Sequence, residues 1–306
     1  MIQLAGVTKT FGQHDAVTDL DLNIDPGRTV GFVGANGAGK TTTIRLIMGF
    51  LRPTVGSVRL MGYDMNNPKE AQSVRSRIGF VPDGDGLDPV LTGQKLLKQL
   101  TDLQNAPPVD RDKIIDALQL SERDLMRPIG RLSRGTRQKI NLIQGLQHRP
   151  ELLILDEPTE GLDPFAKRAL FELLQQAKSR GATIFFSSHV LGEVEAICHE
   201  VALIKQGQLV DVFRLAHVGE AKVHNVQLRL HKEKNDGRLL HFLTERLEAV
   251  PWASSLDEKV LHEDAHIISF RATKLSPLLQ LLSQVPVAEV TVSPLSLEER
   301  VMSHYR

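Results

Sequence analysis

The chain has 306 residues, enough to bury a full hydrophobic core, and we expect one large domain and a smaller one. Its 37 lysine and arginine residues are balanced by 37 aspartate and glutamate residues, so the charge gives no reason to expect nucleic acid or acidic lipid as a partner. A single cysteine excludes an internal disulfide, and no apolar run approaches the roughly 20 residues that cross a bilayer, so we expect a soluble chain of a reducing, cytosolic compartment.

The first predicted elements are strands and turns up to residue 33, and a glycine-rich loop follows them. Residues 34–42 have the sequence GANGAGKTT, which fits the pattern G-x-x-x-x-G-K-[ST] at every required position. In this pattern backbone N–H groups and the start of the next helix surround a polyphosphate. The sequence therefore predicts a site for ATP and Mg²⁺, in which Lys40 bridges the β- and γ-phosphates and Thr41 ligates the metal. The predicted phosphate cradle is Gly34, Ala35, Asn36, Gly37, Ala38, Gly39, Lys40, Thr41 and Thr42.

Beyond this loop the pattern changes from strands to helices. Residues 57–61 and 78–81 are predicted strands. From residue 83 the chain is rich in turns and then helical, with leucine and isoleucine at helical spacing. This pattern indicates a helical subdomain, at about residues 84–150, inserted between two strands of a sheet.

The second half of the predicted sheet has the clearest pattern. A continuous apolar run at residues 152–155 predicts a strand buried on both faces. Asp163 and Pro164 predict the start of a helix that ends at Gly181, and another buried strand follows at 182–186. A strand, a helix and a strand in this order predict a parallel unit, in which ligands bind beyond the carboxyl ends of the strands.

Two acidic residues, Asp156 and Glu157, follow the apolar run. In P-loop ATPases an aspartate in this place holds Mg²⁺, and the next residue is placed to polarise a water for attack on the γ-phosphate. Two adjacent acids alone indicate no more than a polar strand end. The glycine-rich loop at residues 34–42 is a P-loop of this kind, and it lies upstream. We therefore interpret Asp156 as a metal ligand and Glu157 as a catalytic residue.

Residues 132–138 have the sequence LSRGTRQ and open a predicted helix that runs to about Gln147. With the motifs around it, this sequence resembles the ABC-type ATPases, the nucleotide-binding subunits of ATP-binding cassette transporters, whose signature is L-S-G-G-Q, any residue, then Gln. Leu132, Ser133, Gly135 and Gln138 match the signature, whereas Arg134 and Thr136 depart from it. The matching Ser133 hydroxyl and Gly135 N–H, at a helix N-terminus, are the groups that would bind a γ-phosphate.

Four more residues take their expected roles from this resemblance. Asp163 matches the family's D-loop at the subunit boundary, and His189 matches the switch histidine that contacts the γ-phosphate. Phe11 matches the aromatic residue that stacks on adenine, although a core phenylalanine is the alternative. Asp83 stands where the family generally has a glutamine, and we expect it to ligate the metal or its water, with a plain turn aspartate as the alternative.

The resemblance implies an α/β fold, a P-loop NTPase of the ABC ATPase type, over residues 1–214. Two such chains, as a homodimer, would pair head to tail and hold each ATP between one cradle and the partner's segment Ser133-Arg134-Gly135. Hydrolysis of ATP would let the pair open, and this motion would drive an integral membrane permease. We expect this chain at the inner face of the cell membrane, with no nucleic acid bound. One alternative is a soluble ABC ATPase acting on ribosomes or DNA, which usually has two cassettes or a long coiled coil. Another alternative is a regulatory nucleotide-binding module that does not turn over ATP. The presence of Glu157 and His189 argues against it.

The last part of the chain, residues 215–306, is predicted to be a small α+β domain. Its pattern has the order β-α-β-β-α-β, which suggests a ferredoxin-like module. This module and the sequence PLSLEE at residues 294–299 resemble ATPase subunits of type 2 bacterial export systems, which move drugs, lipids or polysaccharides outward. The module shows no catalytic constellation, so we expect a role in packing or dimer contact.

Overall fold

The computed structural model describes residues 1–84, 86–104, 107–215, 224–231, 238–251, 253–261, 265–285, 287–294 and 297–304. By their internal contacts the residues divide into two compact units, Met1–Leu215 and Ala216–Arg306. Each unit has a hydrophobic core of its own. Within the described residues, no helix has both the length and the apolar character needed to cross a membrane.

The first unit alternates strands and helices. Its strands are β1 (Ile2–Phe11), β2 (His14–Ile24), β3 (Thr29–Val33), β4 (Val55–Leu60), β5 (Tyr63–Asp64), β6 (Ile78–Val81), β7 (Leu152–Asp156), β8 (Thr183–Ser187), β9 (Glu200–Lys205) and β10 (Gln208–Arg214). Its helices are α1 (Lys40–Ile47), α2 (Pro68–Arg75), α3 (Gly93–Gln104), α4 (Arg111–Ala117), α5 (Glu122–Met126), α6 (Arg134–Leu146), α7 (Pro164–Ser179) and α8 (Leu191–Ile197), with a 3₁₀ turn at Ile129–Arg131.

These strands form two sheets. The smaller sheet is antiparallel, in the order β2-β1-β4-β5. The central sheet has the order β10-β9-β3-β8-β7-β6, in which β10 is antiparallel to β9 and the other neighbouring pairs are parallel. Every residue of β7 and β8 is buried, as the apolar runs predict.

Helix α6 lies unusually close to strand β6. A Cβ atom at Gly79 of β6 would overlap the carbonyl oxygen of Gly145, and one at Gly145 would lie 2.6 Å from Val81 Cγ2. The absence of side chains at both glycines therefore allows the helix backbone to pack directly on the strand. This contact fixes the C-terminal end of α6 relative to the central sheet.

The second unit contains β11 (His224–His231), α9 (Arg238–Glu248), β12 (Ala253–Leu261), β13 (Ala265–Ala272), α10 (Leu275–Leu282), β14 (Glu289–Pro294) and α11 (Leu297–Ser303). Its sheet has the order β12-β13-β11-β14, with every neighbouring pair antiparallel. Alternate residues of β11 are buried together with leucines of α9 and α10. The first six elements have the order β-α-β-β-α-β, as in ferredoxin-like modules.

Candidate active site

Four neighbouring strands of the central sheet end at one edge, in the order β3-β8-β7-β6. The P-loop, residues 34–42, follows β3, and His189 follows β8. Asp156 ends β7 and Glu157 comes next, while Asp83 follows β6. Because parallel strands share the direction of their carboxyl ends, the sheet brings these separate segments together.

Lys40 lies buried inside the P-loop. Its Nζ donates a hydrogen bond to the carbonyl oxygen of Gly34 at 2.8 Å and lies 3.5 Å from Glu157 Oε1. The loop needs glycine at position 39, where φ is 109° and a Cβ atom would lie 2.7 Å from the carbonyl oxygen of Ala16. The local sequence thus folds the backbone around the ammonium group of Lys40, which can bind phosphate.

A cavity of about 700 Å³ lies beside the P-loop. The predicted site residues that line it are Asn36, Gly37, Gly39, Lys40, Thr41, Thr42, Asp83, Glu157 and His189. The described residues that also line it but that the sequence does not predict as site residues are His14, Ala16, Gly84, Arg134 and Glu160. The predicted residues outside this lining are Phe11, Gly34, Ala35, Ala38, Ser133, Gly135, Asp156 and Asp163.

Glu157 is held from both sides. Besides its ion pair with Lys40, its Oε2 lies 2.8 Å from His189 Nδ1 and accepts a hydrogen bond from the His189 backbone N–H at 3.3 Å. Its own backbone N–H donates to the carbonyl oxygen of Ser187 at 3.1 Å. The predicted catalytic residues Lys40, Glu157 and His189 therefore form one connected group.

Asp156 lies directly behind this group and is only 2% exposed. Burial raises the pKa of its carboxyl, and the neighbouring hydroxyls of Thr41 and Ser187 oppose that shift. Its Oδ1 atom is buried and has no hydrogen-bond partner among the described residues. A buried carboxylate oxygen without a partner is a candidate ligand for a cation.

Asp83 belongs to a cluster of acidic groups on the cavity wall. Burial raises the pKa of its carboxyl, the charges of Glu160 and Glu157 raise it further, and the Arg134 guanidinium opposes them. The structure thus places Asp83 in the same cavity as the predicted catalytic residues. Its predicted role as a metal ligand stays a prediction.

The segment that holds His189 is fixed by a residue that sequence reasoning missed. Glu193 of α8 is buried and accepts hydrogen bonds from Thr159 Oγ1 at 2.7 Å and from Ser188 Oγ at 3.1 Å. It also pairs with Lys167 Nζ at 3.0 Å. The signal in the sequence is an acidic residue on the apolar side of a short helix, four positions after the histidine. Its carboxylate ties the segment after β8 to the segment after β7.

The matched signature residues lie at the start of α6. Ser133 is its N-cap, and the Ser133 hydroxyl accepts a hydrogen bond from the Thr136 backbone N–H at 3.1 Å. A Cβ atom at Gly135 would lie 2.6 Å from the carbonyl oxygen of Gly161, so glycine permits this close approach. Neither Ser133 nor Gly135 lines the cavity of its own chain.

Asp163 has a structural task in the isolated chain. It is the N-cap of α7, where its Oδ1 accepts a hydrogen bond from the Ala166 backbone N–H at 2.8 Å, and it lies 3.4 Å from Lys139 Nζ. The capping hydrogen bond is the main reason that its pKa is lowered, and the Lys139 charge adds to it. A contact of Asp163 with nucleotide stays a prediction.

Helix α6 bears a row of polar side chains that bond to backbone carbonyls, and we call this row the α6 ladder. Gln138 donates to Pro158 at 3.0 Å, and Asn141 donates to Gly84 at 3.5 Å. The other members extend the row toward β6: Gln144 bonds to Phe80, and His148, just beyond the helix, to Ile78. The α6 ladder therefore fixes the position of α6 against the segments that follow β6 and β7.

Phe11 ends β1 and is 48% exposed, so the alternative of a core phenylalanine is wrong. Lys9 Nζ lies 5.1 Å from the centroid of its ring. Its partner across the hairpin, His14, lines the cavity, whereas Phe11 does not. Adenine stacking by Phe11 stays a prediction.

The fold and the site together define a class of protein. Strand β3 of the parallel sheet leads through a glycine-rich loop into α1, with Lys40 in that loop, and Asp156 ends the buried strand β7, which β8 separates from β3. This is the arrangement of a P-loop nucleoside triphosphatase.

Comparison with known proteins narrows this class. The family described as "ABC transporter" matches residues 17–160. The chain is 35% identical over 212 residues to the Nod factor export ATP-binding protein I of Cupriavidus metallidurans, covering 68% of this chain and 69% of the relative. It is also 35% identical over 222 residues to the bacitracin transport ATP-binding protein BcrA of Bacillus licheniformis, covering 71% of each chain.

Solved structures agree with these relatives. A structure described as the ATP-binding subunit of an ABC transporter has a TM-score of 0.65 and 26% identity, covering 70% of this chain and 90% of that one. A dimeric bacterial ABC transporter cassette has a TM-score of 0.64 at 24% identity, covering 71% of this chain and all of that one, and shows the same fold. The chain belongs to the ABC transporter ATP-binding family and is an ATPase of that family.

Proposed function

We propose that this chain is the ATPase subunit of a membrane exporter. ATP brings two copies together head to tail at the inner face of the cell membrane, and an integral membrane permease moves the cargo. The names of two relatives, which state Nod factor export and bacitracin transport, support this proposal. We assign residues 1–214 to the ATPase domain and residues 215–306 to an accessory domain.

The observation that supports ATP turnover best is the position of Glu157 between Lys40 and His189. Nucleotide phosphates attract Lys40, and its movement toward them frees the Glu157 oxygen that lies 3.5 Å away. The freed carboxylate can accept a proton from the water that attacks the γ-phosphate, a role that typically contributes roughly 10²- to 10⁴-fold in rate. The hydrogen bond from His189 to the second oxygen keeps the carboxylate oriented.

The residues at the bottom of the cavity fit Mg²⁺. The unpartnered Oδ1 of Asp156 and the neighbouring Thr41 hydroxyl are hard oxygen ligands of the kind that this ion prefers. Mg²⁺ usually binds through one or two carboxylates together with phosphate and water, so it needs no group of three or more acidic or histidine ligands, and the described residues contain none. Thr41 and Asp156 would hold the ion, with Asp83 nearby, and the bound ion would neutralise phosphate charge.

The start of α6 supports the head-to-tail pair. The N–H groups of its first turn and the positive end of the helix suit a phosphate, yet Ser133 and Gly135 lie outside the cavity of their own chain. A second copy in the opposite orientation can present the same residues to the nucleotide. In that pair, ATP is part of the interface.

A second cavity, of about 580 Å³, is our proposed contact for the permease. Asp83 lines the nucleotide cavity and its neighbour Pro82 lines the second one, so one short segment borders both. The second cavity also has large exposed apolar side chains, Phe50 at 52% and Leu103 at 81% exposed. Exposed apolar side chains around a cavity suit a partner's apolar helix.

The Glu157→Gln chain, held with MgATP, tests the transporter assignment. It should be tagged, isolated from gently solubilised membranes of its host, and its co-purifying proteins identified by mass spectrometry. We expect a protein with about six segments of membrane-spanning length. Ribosomal or DNA-bound proteins without any membrane protein would replace the exporter with the soluble ABC ATPase.

A pair of variants tests the second cavity in the same experiment. Leu103→Asp places a charge in the cavity, and we expect it to lose the membrane protein while ATP binding is retained. Val90→Asp is the matched control, because Val90 is also exposed, at 80%, but does not line this cavity. Equal loss in both variants would contradict the assignment of the surface.

A further inference from the structure

Arg134 sends a charged side chain into the nucleotide cavity from the start of α6. Its Nη2 lies 2.6 Å from Glu160 Oε1, and both residues line the cavity. The stem of the arginine passes over Gly161, where a Cβ atom would lie 3.2 Å from Arg134 Cγ. The side chain remains 56% exposed, so its guanidinium is open to a ligand.

The charges around the cavity show why a second cation matters there. Among the described lining residues, Lys40 and Arg134 have permanent positive charges, whereas Asp83, Glu157 and Glu160 are acidic. Lys40, which is bonded to the P-loop and paired with Glu157, contributes one positive charge against these three acidic side chains. Arg134 is therefore the remaining permanent cation on the wall that can offset the repulsion between these acids and a triphosphate.

We propose that Arg134 binds the γ-phosphate of ATP and exchanges Glu160 for it when nucleotide enters. A guanidinium presents a planar fork of donors that fits phosphate as well as carboxylate. The Glu160 ion pair is exposed and therefore weak, so a phosphate can displace it. Arg134 and Glu160 line the same cavity as Glu157, the proposed general base, and this shared lining directs Arg134 to the reacting end of the nucleotide. The inference rests on the proposed function, because it adds a residue to that ATP site.

The γ-phosphate can belong to the ATP of the same chain or to the ATP of a paired second copy. Arg134 lines its own cavity, but its neighbours Ser133 and Gly135 do not. Measurements at protein concentrations below and above the onset of pairing separate these two sources. If the Arg134 variant loses ATP affinity as a single chain, the γ-phosphate belongs to the chain's own ATP. If the loss requires pairing, the γ-phosphate belongs to the partner's ATP. Either result supports the inference.

The experiment compares nucleotides that differ only in the γ-phosphate. In the Glu157→Gln chain with Mg²⁺, binding of fluorescent ATP and ADP analogues is measured for Arg134→Ala and Arg134→Lys. We expect Arg134→Ala to weaken ATP binding roughly tenfold with little change for ADP, and Arg134→Lys to weaken it less, because lysine keeps the charge but not the fork. Arg168→Ala is the matched control, since it removes an exposed Arg–Glu pair on α7 outside the cavity.

A double-mutant cycle with Glu160→Gln separates binding from simple packing. Freeing Arg134 should tighten ATP binding in Glu160→Gln, and this gain should shrink when Arg134→Ala is also present. Equal effects on ATP and ADP, no effect on either, or a Glu160→Gln gain independent of Arg134 would overturn the inference. If the parent chain binds neither nucleotide, the proposed function is overturned as well. If the parent chain binds ATP and the Arg134→Ala chain binds it equally well, only the role of Arg134 is overturned.

Discussion

At the scale of single residues, the backbone and the side chain of Glu157 are both constrained. Its φ is 46°, in the left-handed region that a residue with a side chain adopts at an energetic cost. The hydrogen bond to Ser187 and the contacts with Lys40 and His189 hold it in this conformation. Its carboxylate is therefore oriented before nucleotide binds, which suits the proposed role of general base.

Glu157→Gln keeps the size of this side chain and removes its basicity. We expect ATP turnover to fall roughly 10²- to 10⁴-fold, the usual contribution of a general base, while ATP binding is retained. Phosphate release and equilibrium binding of a fluorescent ATP analogue measure the two effects. Glu172→Gln on the exposed side of α7 is the control and should change neither. Normal turnover in Glu157→Gln would remove this residue from the mechanism.

His148 predicts a pH dependence of stability. Burial lowers the pKa of its imidazole below the ordinary value of 6.5, and its Nδ1 has no partner among the described residues. The unfolded chain therefore takes up a proton near pH 6.5 that the folded chain accepts only at lower pH. The His148 contribution to the free energy of unfolding is constant above this pH and becomes destabilising as the pH falls through it.

His148→Gln tests this dependence. Glutamine can still donate a hydrogen bond to the Ile78 carbonyl but does not titrate. We expect urea unfolding at about pH 7.5 and pH 5.5 to show a smaller loss of stability at the lower pH in this variant than in the parent. His14→Gln is the control on an exposed histidine. An unchanged pH dependence in His148→Gln would mean that other groups cause it.

At the scale of elements, α6 shows what the sequence predicts and what it does not. Its start and its end, within a residue of Gln147, follow from the signature and the helical pattern. The α6 ladder does not, because Gln138, Asn141 and Gln144 recur at a spacing that ordinarily indicates a solvated helix face. The contact of Gly145 with β6 buries this face against backbone carbonyls, and that tertiary contact has no local signal. The sequence analysis likewise contains no element at α8, because a helix of this length with a buried acidic residue, Glu193, has a weak local pattern.

Gly145→Ala tests the close contact between α6 and β6. The added methyl would lie 2.6 Å from Val81 Cγ2 and 3.3 Å from the Phe80 carbonyl oxygen, so the helix must shift. We expect the free energy of unfolding to fall by about 1–3 kcal/mol, the usual range for an overpacked core. Gly192→Ala in α8 is the control, since its methyl meets nothing within 4 Å. Urea unfolding of both variants decides, and equal stabilities would contradict the packing argument.

At the scale of the whole molecule, strand order explains which parts of the site the sequence predicts. The P-loop and the pair Asp156–Glu157 are contiguous motifs, so their chemistry is visible in the sequence. Arg134 and Glu160 come together only because α6 packs beside the segment after β7. Motif order alone therefore misses the charge of the cavity wall. The pairing of two chains is a separate hypothesis, and an experiment that mixes two variants tests it.

Mixing two inactive variants tests whether the ATP site is shared between copies. Lys40→Ala removes the lysine of the P-loop, and Ser133→Asp keeps a good N-cap for α6 but sets a carboxylate against the γ-phosphate. In a head-to-tail pair of the two variants, the P-loop of the Ser133→Asp chain meets the intact Ser133 of the Lys40→Ala chain, so one complete site forms. We expect turnover at least roughly tenfold above either variant alone, since a restored site regains phosphate stabilisation that neither homodimer has. If both residues serve the same chain's ATP, the mixture stays as inactive as its components although both variants fold.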